Sequence, residues 1–182
     1  MSEDWAMTTP GVEQMLYLMD KAFEGHGEHA LLANLKSVMD EDWAWLPPGG
    51  ERSIAHIVAH VAACKHMYDH YAFGEGVWTW TEPPFSDAAL FAPRPKAELI
   101  DWLREGQRVL CGHVAALNDD DELTKPRRSN WGAEHETRWL IAKMIEHDLY
   151  HGGEINHIRA LHQGHDRWAI PHGRSAKLSL ST

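Results

Sequence analysis

Apolar residues recur at the three- and four-residue spacing of an amphipathic helix in four separate stretches of this chain. The first stretch follows Thr9-Pro10, a helix cap with proline at the first helical position. Met15, Leu18, Met19, Ala22 and Phe23 mark its apolar face, and Leu31, Leu32, Leu35, Val38 and Met39 carry the pattern on. Gly25 and Gly27 stand where they would bend or split it, and Leu46-Pro47-Pro48-Gly49-Gly50 is a strong breaker. The spacing predicts a second helix capped by Ser53, running to about Phe73 and closed by Gly74. A third begins near Pro95 and passes through Leu99, Leu103, Val109 and Leu110 to about Leu117, followed by an acidic loop at Asp119, Asp120 and Asp121. A fourth starts between Asn130 and Thr137 and reaches about Gln163, with Gly164 as its stop. No stretch alternates with the period of a strand over a useful length. The prediction is an all-α protein, a four-helix bundle over residues 1–164, with a tail over 165–182.

Two regions fall outside that scheme. Residues 75–94 form a long loop between the second and third helices and contain Trp78, Trp80, Phe85 and Phe91. Such a loop is either a lid over a site or a hydrophobic cover for the bundle. In the tail, Trp168 and Ile170 are placed to pin its first part.

Composition narrows the function classes. A chain of 182 residues, 43% hydrophobic and 24% charged, fits one globular domain. A net charge of −10 argues against a partner made of nucleic acid, which needs clustered Lys and Arg. The nearest basic cluster, Lys125, Arg127 and Arg128, reads as a solvated loop. No apolar run approaches the length of a membrane span. The acidic start lacks the features of a secretion signal, so a cytoplasmic location is expected. Cys64 and Cys111 form no metal-type pair.

Fourteen histidines change the picture. With His147 set to zero on a helical wheel, His151 falls at ~40° and Glu154 at ~−20°, beside Leu140 and Ile158 at ~20°. Both histidines therefore sit inside the stripe that faces the core. On the second helix, His60 shares a narrow sector with His56, while His70 lies ~15 Å further along the axis. An i,i+4 histidine pair can chelate one metal ion, and a third ligand from a facing helix leaves positions open for water or substrate. The alternative is a set of buried structural histidines with hydrogen-bonded rings. His66, His113, His135, His162, His165 and His172 share no face and read as exposed or locally bonded. Glu154 is open to three roles: ligand, general base, or partner orienting a histidine ring.

The segments SIAHIVAHVAACKHMY and MIEHDLYHGGEINHIRAL resemble the two signature regions of the DinB/YfiT-like superfamily. The resemblance spans nearly the whole chain, including PPGGERSIAHIVAH before the second helix. It implies a four-helix bundle, often a homodimer, with a divalent metal between the second and fourth helices. Carried over by position, the metal triad falls on His60, His147 and His151. Tyr150 stands where many relatives have histidine, and Glu154 where glutamine is common.

Relatives of known activity are largely metal-dependent transferases or isomerases that use low-molecular-weight thiols. The leading expectation is therefore a thiol-dependent S-transferase acting on a small-molecule substrate. Zinc or nickel comes first as the metal, with iron, manganese or copper as alternatives. His56, Tyr150 and Glu154 are the candidates for proton transfer. Two rivals remain: a metal-dependent hydrolase with water as nucleophile, and a metal- or ligand-binding stress protein without turnover.

Overall fold

The computed structural model describes residues 8–25 and 29–166. Expectations for Gly27, Trp168, Ile170 and His172 lie outside the described residues. Within them the helices, in chain order, are α1 (Pro10–Phe23), α2 (Leu31–Leu35), α3 (Asp40–Trp43), α4 (Ile54–Phe73), α5 (Asp87–Leu90), α6 (Lys96–Ala115) and α7 (Thr137–Gln163). The long helices α1, α4, α6 and α7 make the bundle: α4 packs on α6 and α7, and α1 packs on α7 and α6. The expected all-α bundle is observed.

The single first helix is replaced by α1, α2 and α3, which splits it in the region of Gly25 as the sequence allowed. Thr9 occupies the cap of α1 but makes no side-chain capping bond to it. Asp120, from the acidic loop, caps α1 instead: its carboxylate accepts from the Gly11 and Val12 N–H groups at 3.1 Å each and from the Thr9 hydroxyl. An acidic side chain there satisfies orphan N–H groups and complements the helix dipole.

Helix α4 is the centre of the fold. Val58, Ala59, Val61, Ala62 and Ala63 are consecutive or nearly so and all buried, so the helix is covered on every side rather than along one stripe. Its alanines let α6 and the loop over residues 75–94 approach closely. That loop places Phe85 and Leu90 in the main core, stacks Trp78 on His70 with ring centres 3.8 Å apart, and forms the one-turn α5. Most of it is therefore the hydrophobic cover, with the Phe91 ring against His56 at 4.7 Å between ring centres.

A two-stranded antiparallel ribbon, Pro126–Arg128 paired with Glu134–Glu136, departs from the strand-free expectation. Each strand has three residues, too few for alternation to register. Arg127, expected in a solvated loop, is anchored instead. It donates to Thr137 Oγ1 at 2.9 Å and to the Ala72 carbonyl at 3.3 Å, and lies over the Phe73 ring. The Thr137 hydroxyl in turn donates to the Lys125 carbonyl at 3.0 Å, so the ribbon fixes where α7 begins.

Candidate metal centre

Ser53 caps α4 as expected, its hydroxyl accepting from the His56 N–H at 3.4 Å. His56 returns the contact, its Nδ1 accepting from the Ser53 N–H at 3.2 Å. This reciprocal pair sets where α4 starts and hence which face carries His60 one turn later. On α7, the chain runs unbroken from Thr137 to Gln163 through Gly152 and Gly153, and Gly164 at φ 70° closes it.

The two helices bring three imidazoles together. His147 Nε2 lies 3.2 Å from His60 Nε2 and 3.2 Å from His151 Nε2. The rings of His60 and His151 are 5.1 Å apart at their centres. Two nitrogens bound to one zinc ion at ~2.0–2.1 Å and tetrahedral angles lie about 3.3 Å apart, so these separations fit a shared cation. Hydrogen bonding alone satisfies the cluster poorly. His151 Nδ1 faces Glu154 Oε2 at 2.7 Å, which holds the ring proton on Nδ1 and leaves Nε2 a lone pair. His147 Nε2, between two such neighbours, is either donor or acceptor, so at most one good hydrogen bond forms and the other contact is unsupported.

Electrostatics keeps the rings in the ligating form. Burial, with the His151 imidazole and Arg52, pushes the His60 pKa down to about 4 against the pull of Glu154. Burial and the adjacent histidines take His147 to about 3. Burial also lowers His151, partly offset by the Glu154 carboxylate. All three are neutral at pH 7. Because these rings resist protonation in the folded protein, a metal held by them should be lost only well below the pKa of ~6.5 of a free imidazole.

The same shifts set an acid sensitivity for the metal-free protein. The unfolded chain takes up protons on these histidines at a pKa of ~6.5, whereas folded His60 and His147 refuse them until about 4 and about 3. The unfolded state binds more protons in that window, so stability falls as the pH falls through it. Urea midpoints of metal-free protein should drop between pH ~7 and ~5, and the drop should shrink in His147→Ala. A flat profile would mean the rings are hydrated.

Glu154 is held from both sides. One oxygen meets His151 and the other accepts from Arg52 Nη2 at 2.7 Å. The series Arg52, Glu154, His151 is the arrangement that fixes the tautomer and angle of a metal-ligating ring. Tyr150 sits at the rim, 67% exposed, with its ring edge on His151 at 4.9 Å. A cleft of about 540 Å³ opens beside Arg52, Glu154 and His157, walled by Phe91, Ile158 and Leu161. Three histidines away from the cluster are locally bonded: His66 to the Trp102 carbonyl, His113 to Asp69, and His162 to Asp42.

Sequence reading missed two neighbours of the centre. Arg52 carried no periodic signal, since it precedes the helix. Cys64, which forms no metal-type pair with Cys111, lies beside the histidines instead: His60, Cys64 and His147 form a group able to hold a metal, one donor from each lying within 4.8 Å of the others. Its position four residues after His60 was the available signal. The sulfur is 3.7 Å from His60 Nε2 and 3.9 Å from Nδ1, near-equal distances that put it beside the ring rather than along the Nε2 lone pair. Burial pushes the thiol up to about 12, against the pull of Lys65. His151 Nε2, by contrast, faces His147 Nε2 directly at 3.2 Å.

Among the described residues no helix is long and apolar enough to cross a membrane. Comparison with curated proteins finds no match. The sequence profile of the DinB superfamily matches residues 25–155, a span that includes all of α4, the loop after it, and His147, His151 and Glu154. With the bundle and the paired-helix histidine cluster both in place, the chain belongs to the DinB superfamily.

Proposed function

We propose that this protein is a metal-dependent thiol transferase in which His60, His147 and His151 hold a divalent cation, zinc or nickel first, that activates a low-molecular-weight thiol. The observation that carries the reading is the approach of three neutral Nε2 atoms that hydrogen bonds alone cannot satisfy. Three neutral ligands leave the cation its full charge, and when bound it supplies the field that ionises a thiol at neutral pH.

The chain's own residues have separable roles in this scheme. Glu154 keeps the proton of His151 on Nδ1, and Arg52 holds Glu154 in place. With both carboxylate oxygens engaged, Glu154 acts through His151 rather than as a free base. Tyr150, exposed at the rim, and His56, kept neutral by burial, are the groups left to carry protons. The cleft between Arg52, Phe91 and Leu161 takes the body of the electrophile. The active form is read as a homodimer, in keeping with the exposed Leu149, Tyr150 and Leu161 on α7.

A panel of small thiols and electrophiles tests the activity. Thiol consumption that needs both metal and thiol is the expected result. Turnover of esters or amides without thiol would make the protein a hydrolase, and turnover in the metal-free protein would end the metal reading. No turnover with any pair would leave a binding protein.

A further inference from the structure

Lys65 and Asp148 form an ion pair in the interior of the bundle, with side chains 1% and 2% exposed and 2.7 Å between Nζ and Oδ2. The ammonium also donates to Gln107 Oε1 on α6 at 2.7 Å and lies 4.9 Å from the centre of the Phe23 ring on α1. One group on α4 thus touches each of the other three long helices. The second oxygen of Asp148 is buried with no hydrogen-bond partner among the described residues. This is not the fully satisfied network that would add most to stability.

Replacing a buried ion pair by apolar side chains of similar volume is often neutral or stabilising, whereas separating its members is strongly unfavourable. A pair of this kind therefore does more to exclude wrong arrangements than to stabilise the right one. Its place in the chain says which arrangement. Lys65 follows Cys64 directly, and Asp148 follows His147. Sliding α7 along α4 by one turn, ~5.4 Å, would leave both charges buried and unpaired. The same slide would carry His147 Nε2 away from His60 Nε2, because both contacts join the same two helices. The ion pair and the imidazole contacts share one register.

We propose that the Lys65–Asp148 pair is the positioning element of the metal centre, fixing the register of α4 against α7 that brings His60 to His147 and His151. The inference rests on the metal reading given above. Lys65 and Asp148 touch no ligand; they act through the helices that carry the histidines.

The test is the paired replacement Lys65→Met/Asp148→Leu in the full chain, which leaves no lone buried charge. Its melting temperature should equal or exceed that of the wild type, while cobalt(II) affinity, read from the d–d absorption, falls about 10–100-fold, as when support for a ligand is removed. Imidazole nitrogen spectra of the metal-free proteins give a second readout: one sharp set for His60 and His147 in the wild type, several sets or broadened signals in the variant. A folded variant with unchanged cobalt affinity and spectrum would overturn the proposal. So would a variant that does not fold, since the pair would then serve stability. Wild-type protein that binds no cobalt would refute the metal reading instead, and the nitrogen spectra would still decide the role of the pair.

Discussion

His147→Ala should lose divalent metal almost completely while the bundle stays folded. His147 Nε2 lies 3.2 Å from the Nε2 atoms of both His60 and His151, so its removal takes away the nitrogen that both of the others approach. Residues that merely support a ligand cost about 10–100-fold in affinity when replaced; His147→Ala and His151→Ala should exceed that range, and Glu154→Gln should fall within it. The glutamine keeps the shape but weakens the contact to His151 Nδ1 and the ion pair with Arg52. His66→Ala is the control, because its ring stacks on Trp102 and meets a carbonyl away from the cluster. Elemental analysis of protein purified without an affinity tag reads all of these. The fold should tolerate the loss, since the Nδ1 of His147 is buried without a partner among the described residues. Equal metal in all variants would remove the triad from consideration.

What the sequence revealed, and what it hid, follows from the length scale of each signal. The faces of α4 and α7 were legible because a 3.6-residue period over twenty or more residues overrides local noise. That period put His147, His151 and Glu154 in the inward stripe, where His151 and Glu154 now meet at 2.7 Å. Tertiary contacts between short segments were not legible. Asp120 caps α1 across more than a hundred residues, and nothing local marks an aspartate in an acidic run as the cap of a distant helix. The ribbon at Pro126–Arg128 and Glu134–Glu136 is too short for a period. The Lys65–Asp148 pair hid for a different reason: charged residues read as exposed in any pattern analysis, so a buried pair is taken for two surface side chains. Arg52 was obscured by its loop, where facing direction is undefined until the chain is folded.

The paired glycines of α7 separate two kinds of packing. Gly152→Leu should destabilise the protein by about 1–3 kcal/mol, the usual range for an overpacked interior, whereas Gly153→Leu should be neutral or slightly stabilising. Glycine inside a helix costs roughly 1 kcal/mol relative to alanine, so each position needs a reason. Gly152 has one. A Cβ there would stand 3.5 Å from the His29 carbonyl oxygen, 3.7 Å from Asn34 Nδ2 and 4.0 Å from the Leu31 Cα. A single carbon already fills the gap at ordinary contact distance, so the branched end of a leucine presses on this segment. The segment it faces is clamped to α7 one and two turns on, by Asn156 Nδ2 donating to Asn34 Oδ1 at 2.8 Å and Arg159 Nη1 donating to the Asn34 carbonyl at 3.2 Å. A leucine would lever α2 away and strain both bonds. Among the described residues a Cβ at Gly153 would meet nothing within 4 Å, so a side chain there gains helix propensity without a clash. The segment leading into α2 accounts for Gly152. A second subunit packed on the outer face of α7 would give Gly153 a role. Urea midpoints measure the first effect and sedimentation the second. Because both glycines point away from the histidine stripe, at ~140° and ~−120° on the wheel, metal content should be unchanged in either variant that folds. A Gly152→Leu protein as stable as the wild type would mean that α2 yields freely. Dissociation of a dimer by Gly153→Leu would place the partner subunit on this face of α7.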